Sequence, residues 1–318
     1  MRSQLTLQKE MACARWQLLV STKRRRADQA ISPMIFLSRI KSGKKVFKWN
    51  RRKGWERALW RLLADKLNDS VIAEVKQRNP RRPLDDDFAW LNEPVARAIG
   101  QPLEDIPQLL GSRLSSYYQF VIAFHGSRPV LPRDFLAYGL KPSDTAALQN
   151  RAIELFGDSE DLQKAIVELR DGNYERHNNR GVWLCMTKEA FLQVHNHYLL
   201  EGSEYLAAIA GRLGQSAKLR AIGSPVIVEC LVSNGFLDSK FWQNMSRYMI
   251  KDYFGRLLSP SEKRPVNTYC IRITETIPPG NMLRVHEFAE NKRTHQRTDF
   301  QTGVKQCFEV TTLRPFKD

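Results

Sequence analysis

Cysteine is scarce in this sequence, and what there is lacks a shared spacing. The five residues, Cys13, Cys185, Cys230, Cys270 and Cys307, are odd in number, far apart and without a Cys-x-x-Cys pair. That excludes a recognisable zinc motif and argues against a disulfide framework, so reduced thiols and no bound metal are expected. Long apolar runs are lacking too. No stretch approaches the roughly 18–20 residues that cross a bilayer, and the segment from Met11 to Val20 is too short for a secretory signal. A soluble cytoplasmic protein with no membrane partner follows as an expectation.

Acidic residues are nearly missing from one end. Residues 1–60 hold 16 Lys/Arg against Glu10, Asp28 and Glu56, so 13 of the 16 net positive charges sit there and the remainder is almost balanced. Charge segregated in this way points to a polyanion nearby: nucleic acid, an acidic protein face or anionic lipid. Within residues 1–54, basic clusters (Lys23 to Arg26, Lys44-Lys45, Arg51 to Lys53) alternate with isolated hydrophobes, the pattern of a basic N-terminal arm that is solvated or orders on a partner. Phe47, Trp49, Trp55 and Trp60 interleave rings with cations, a composition that stacks on bases while following phosphates; the same rings serve equally well as core.

From Gly54 the pattern turns helical. Trp55, Ala58, Leu59, Leu62, Leu63 and Leu67 recur at three and four, Pro80 and Pro83 interrupt, and Asp85-Asp86-Asp87 opens a second segment carrying Phe88, Trp90, Leu91, Val95 and Ala98. Residues 55–112 are thus expected to form a helical region ending at Gly111-Ser112. Three consecutive aspartates point in different directions, which argues against a metal site.

Residues 117–128 organise the rest. Phe120, Val121, Ile122 and Phe124 read as a buried strand that ends on His125-Gly126-Ser127-Arg128, with Pro129 stopping the ladder. Such a strand delivers an imidazole to an edge. Gly126 permits close approach to the backbone, and Ser127 and Arg128 add a hydroxyl and a fixed cation. Helices follow from Asp134, from Ser143-Asp144 and over Leu162 to Leu169, then a polar loop over 171–180 and a strand from Gly181 to Cys185. The next helix carries Ala190, Phe191, Val194 and Tyr198; His195 and His197 on it, two residues apart, do not face one ligand and are expected at the surface. Ser203 can cap the following helix. Two strands, Pro225 to Val232 and Tyr269 to Ile277, close the domain. Glu229, inside the first, needs a partner or a purpose, because burying a lone carboxylate costs several kcal/mol.

Strand, His125-Gly126-Ser127, helix, polar loop, Gly181-Val182-Trp183, helix, a strand with Glu229 and a last strand running to Ile277-Pro278-Pro279 together resemble the ADP-ribosyltransferase superfamily, in its His-Tyr-Glu-like branch, over about residues 113–290. The resemblance implies an α+β fold: a split β-sheet core over residues 113–318, preceded by the basic, mainly helical N-terminal region. It implies NAD as cofactor, with His125 on a ribose hydroxyl, the Gly126 backbone on the nicotinamide amide, and Ser127, Arg128 and Ser203 counted with the binding residues. Trp183 stands where the family has a stacking tyrosine, keeping the π-face without the phenol. The family's glutamate, which stabilises the oxocarbenium-like centre as the glycosidic bond breaks, corresponds to Glu275 first, with Glu229 and Glu204 as alternatives.

The implied activity is transfer of ADP-ribose from NAD to a macromolecular acceptor, with nucleic acid, RNA above all, ahead of protein, as in bacterial toxins of phage-defence systems that are held in check by an antitoxin protein. A non-enzymatic nucleic-acid-binding protein on a degenerate transferase fold is the main alternative. An RNA 2′-phosphotransferase is a third, without the expected arginine cluster. The resemblance implies that the imidazole, the indole and a carboxylate line one cleft, so that placement of these groups on separate faces counts against transfer.

Overall fold

A computed structural model describes residues 45–78, 87–142, 144–171, 181–262, 266–290 and 308–313. The basic arm up to residue 44, Asp85 and Asp86, and loop 172–180 lie outside the described residues. In chain order the elements are β1 (Val46–Phe47), α1 (Arg52–Leu62), α2 (Asp69–Arg78), α3 (Ala89–Ile99), α4 (Ile106–Tyr117), β2 (Phe120–Ser127), α5 (Asp134–Tyr138), α6 (Thr145–Phe156), α7 (Glu160–Asp171), β3 (Val182–Cys185), α8 (Lys188–Gln193), α9 (His197–Leu200), α10 (Glu204–Arg212), α11 (Ser216–Arg220), β4 (Val226–Ser233), α12 (Phe241–Leu258), β5 (Cys270–Ile273), β6 (Met282–Glu290) and β7 (Phe308–Leu313). The class is α+β, with an open and almost wholly antiparallel sheet.

The sheet runs β5-β3-β2-β4-β6-β7, and β1 adds to β2 in parallel. β4 lines one edge of β2 over its whole length, Phe120 opposite Ser233 to Ser127 opposite Val226. β1 and β3 share the other edge, at Phe120–Val121 and at Phe124 respectively. Alternation then sorts the side chains. Val121, Ala123, Val182, Leu184, Val226, Val228, Ile271 and Ile273 enter the main core on one face. Phe124, Cys185 and Ile227 enter a smaller core on the other, under Phe191 and Leu199.

The main core also takes in the helical region. Phe47, Trp55, Leu59, Leu110 and Leu114 pack with Val121, Val228, Met249 and Phe254 in one continuous cluster, so Phe47 ties the stretch before α1 to the core of the sheet. Of the four rings interleaved with cations, Phe47 and Trp55 are buried, a structural use stabilising by about 2 kcal/mol per ring. The helix expected to stop at Gly111 runs on to Tyr117. Gly111 sits inside it because a Cβ there would lie 3.1 Å from the backbone of Gln243 on α12: the glycine allows close helix packing and ends nothing.

Two further expectations are corrected. The helix expected across Ala190 to Tyr198 is two, α8 and α9, separated at Val194 to Asn196. The last strand stops at Ile273, and β6 and β7, not foreseen, complete the sheet.

Candidate active site

His125 lies on β2, half-buried, with its Nδ1 2.9 Å from the Trp183 carbonyl oxygen. A carbonyl only accepts, so Nδ1 carries the proton and Nε2 is the acceptor nitrogen. Burial pushes the imidazole pKa below its ordinary value, and the bond to Trp183 only partly offsets this. The ring is therefore neutral near pH 7. Phe135 of α5 meets it edge-on at 6.2 Å.

The expected trio does not assemble. Register pairs His125 with Val228 and Phe124 with Glu229, so the imidazole and the Glu229 carboxylate leave opposite faces of the sheet. Trp183, two residues before Cys185 on β3, shares the Glu229 face; the carbonyl of Trp183 reaches His125 and its indole does not. Glu275 is exposed in the bend after β5. Two residues on, Ile277 pairs with Leu140, which follows α5, the helix whose Phe135 touches His125. Of the two leading carboxylates, Glu275 is the one whose segment pairs with the residue that follows α5.

Glu229 has a partner. It is 4 % exposed, with Oε1 2.8 Å from Lys48 Nζ, and with His286 Nε2 at 3.7 Å and Arg284 at 3.9 Å from Oε2. Burial alone would raise its pKa; the contacts from His286 and Lys48 and the charges of Lys48 and Arg284 outweigh burial and hold it at about 2. Lys48 follows β1, so the ion pair also anchors the beginning of the described chain to the sheet. Neither Lys48 nor His286 carried any signal in the sequence, since the pairing arises from the β1–β2–β4 and β4–β6 registers.

The remaining candidates have structural work. A Cβ on Gly126 would lie 2.5 Å from Cδ1 of Phe191, so the space the glycine leaves is filled by a core ring. Arg128 donates from Nε to the Ile222 carbonyl at 2.9 Å, from one terminal nitrogen to Leu199 at 3.1 Å, and from the other to Arg220. It thereby caps the carbonyl ends of α9 and α11 and joins them to the end of β2. Ser203 accepts from the Leu206 amide as the N-cap of α10, and Ser127 is half-buried at the strand end.

A cluster of polar groups that the sequence did not disclose lies beside β3 and β5. Cys185 and Cys270 face each other across the two strands and are joined by a disulfide, 85 residues apart in sequence. This corrects the expectation of reduced thiols for that pair; Cys230 is free and buried. His195 Nε2 lies 3.5 Å from Cys270 Sγ, and burial lowers the imidazole pKa. His197 and the Tyr198 hydroxyl both bond Glu204 Oε1, at 3.2 and 2.7 Å, and the contact from His197 leads in lowering the Glu204 pKa. The two histidines, expected as surface residues, are half-buried with rings 6.3 Å apart, because the break between α8 and α9 turns them together.

Around β1 and the start of α1, a groove of about 260 Å³ is lined by Lys45, Lys48, Arg51, Trp55 and Tyr117 among others, with Lys45 Nζ 3.9 Å from the Tyr117 ring centre. Among the described residues no helix is long and apolar enough to cross a membrane. Compared with known proteins, the sequence matches no family model and no curated protein.

Proposed function

We propose that this chain is an NAD-dependent ADP-ribosyltransferase of the toxin or effector type, which breaks the nicotinamide glycosidic bond of NAD and transfers ADP-ribose to a macromolecular acceptor, RNA ahead of protein. The observation that carries this is His125: a neutral imidazole on the central strand, its Nδ1–H held by the Trp183 carbonyl, its Nε2 therefore able to accept a ribose hydroxyl. In the transfer, nicotinamide departs with the electron pair of the C–N bond, and an acceptor hydroxyl attacks the same carbon and gives up its proton to solvent water. Glu275 is the carboxylate assigned to stabilise the positive charge that develops at that carbon. Glu229 is withdrawn from the role, being held by Lys48 on the other face. Trp183 contributes its carbonyl and not a stacking surface. The basic groove at Lys45 and Arg51 supports a phosphate-bearing acceptor.

One observation favours a second reading, a nucleic-acid-binding protein without catalysis on the same fold: the Trp183 indole and the Glu229 carboxylate face away from His125. Purified protein incubated with labelled NAD and cell extract separates the two. Transfer predicts nicotinamide release and a labelled macromolecule, both abolished in His125→Ala, with the label removed by ribonuclease. Binding alone predicts no release from wild type and retention of RNA on the protein.

A further inference from the structure

We propose that Cys185 and Cys270, once reduced, form with His195 a zinc site, and that the disulfide between the two cysteines is the alternative state that excludes the metal.

The three ligand atoms lie within 4.8 Å of one another. Tetrahedral zinc with bonds of about 2.3 Å to sulfur and about 2.05 Å to nitrogen sets a sulfur–nitrogen edge of about 3.6 Å and a sulfur–sulfur edge of about 3.8 Å. The Cys270 Sγ to His195 Nε2 distance, 3.5 Å, already matches the first edge. The sulfur pair must open and the Cys185–His195 edge, within 4.8 Å, must settle at the first length; side-chain rotation can do both, because the two α-carbons are held 4.3 Å apart by the β3–β5 ladder. Two thiolates and an imidazole favour a borderline-soft ion over calcium or magnesium. Among the described residues no fourth ligand joins the group, which leaves one position for water. Cys185 is buried while Cys270 and His195 are half-buried, so the ion would enter from the side of the latter two.

The interconversion balances. The disulfide takes two electrons and two protons from a dithiol, which leaves as its own disulfide. Zinc then binds the two sulfurs as their two protons depart, with the neutral imidazole as third ligand.

The test uses the full chain, reduced with a dithiol, equilibrated with zinc and desalted. Reduced wild type should retain about one zinc per chain, and cobalt in its place should give thiolate-to-metal charge-transfer absorption. Oxidised wild type should retain none. Because Cys185 is buried and its replacement can prevent folding, the decisive variants are Cys270→Ser and His195→Ala, each checked by circular dichroism. Both should lose the retained metal, while Cys13→Ser, Cys307→Ser and Cys230→Ser, the last buried like Cys185 and replaced by Cys230→Ala should its circular dichroism show it unfolded, keep it. Oxidising the loaded protein should release zinc in step with the loss of thiols. Reduced wild type without zinc, equal retention in Cys270→Ser or His195→Ala, loss in any control variant that circular dichroism shows to be folded, or zinc that survives oxidation would each overturn the proposal.

Discussion

Lys48 Nζ and Glu229 Oε1 meet at 2.8 Å across 181 residues of sequence, with Glu229 inside a strand whose other residues before its terminal Ser233 are Val, Ile, Cys and Leu. A carboxylate so placed is tolerated only because its charge is matched where it is buried. The pair therefore couples the edge of the helical region to the centre of the sheet, and it explains Glu229 without catalysis.

Removing either partner should unmask the other. Glu229→Gln and Lys48→Met are each expected to cost about 2–3 kcal/mol, below the value for fully buried pairs because Lys48 is part-exposed and His286 and Arg284 remain. The double variant should lose less than the sum, with a coupling above about 1 kcal/mol in a double-mutant cycle read from urea denaturation. Strict additivity would remove the pair from the account of stability.

Acid should act in two windows. Glu229 is depressed from its ordinary 4.5 to about 2, so its contribution is present above pH 4.5 and is lost as the pH falls from there towards 2. His125 is an imidazole whose charged form is disfavoured by burial, so the unfolded chain binds the proton more readily; stability is whole above pH 6.5 and declines below it. Melting temperature followed against pH should show both declines in wild type. Glu229→Gln should flatten the lower one and His125→Gln the upper.

Gly126→Ala should destabilise by about 1–3 kcal/mol through overpacking against Phe191, whose ring is almost fully buried. Phe191→Leu in the same chain should recover part of that loss in thermal melts. If Gly126→Ala instead leaves stability intact and only weakens NAD binding, the glycine serves the ligand after all.

The two carboxylates should separate in kinetics. Glu275→Gln is expected to lower nicotinamide release by about 10²–10³-fold, with stability unchanged because the residue is exposed. Glu229→Gln, assayed where it remains folded, should stay within a few-fold of wild type. The reverse ranking would return Glu229 to the site.

Much of the scaffold was legible from local pattern. The strand ending at Ser127, the strand through Glu229, the caps at Asp144 and Ser203 and the helical run from Trp55 all appear where periodicity and capping chemistry put them. The places that misled are those where one residue type answers two needs. Gly111 reads as a stop but serves helix packing. The strand that reads as running to Ile277 ends at Ile273, and the helix through His195 breaks at Val194, local departures that apolar spacing does not signal.

By itself, then, the chain determined its mixture of helices and strands, its concentration of positive charge at one end, and the delivery of His125 by a buried strand, because these rest on short-range periodicity and composition. Only the tertiary structure decided what the polar residues face. Strand register put His125 and Glu229 on opposite sides of one sheet, matched Glu229 with Lys48, and brought Cys185 to Cys270 and His195. Register is set by pairing between segments tens to hundreds of residues apart, and a shift of a single residue would send every one of those side chains to the other face.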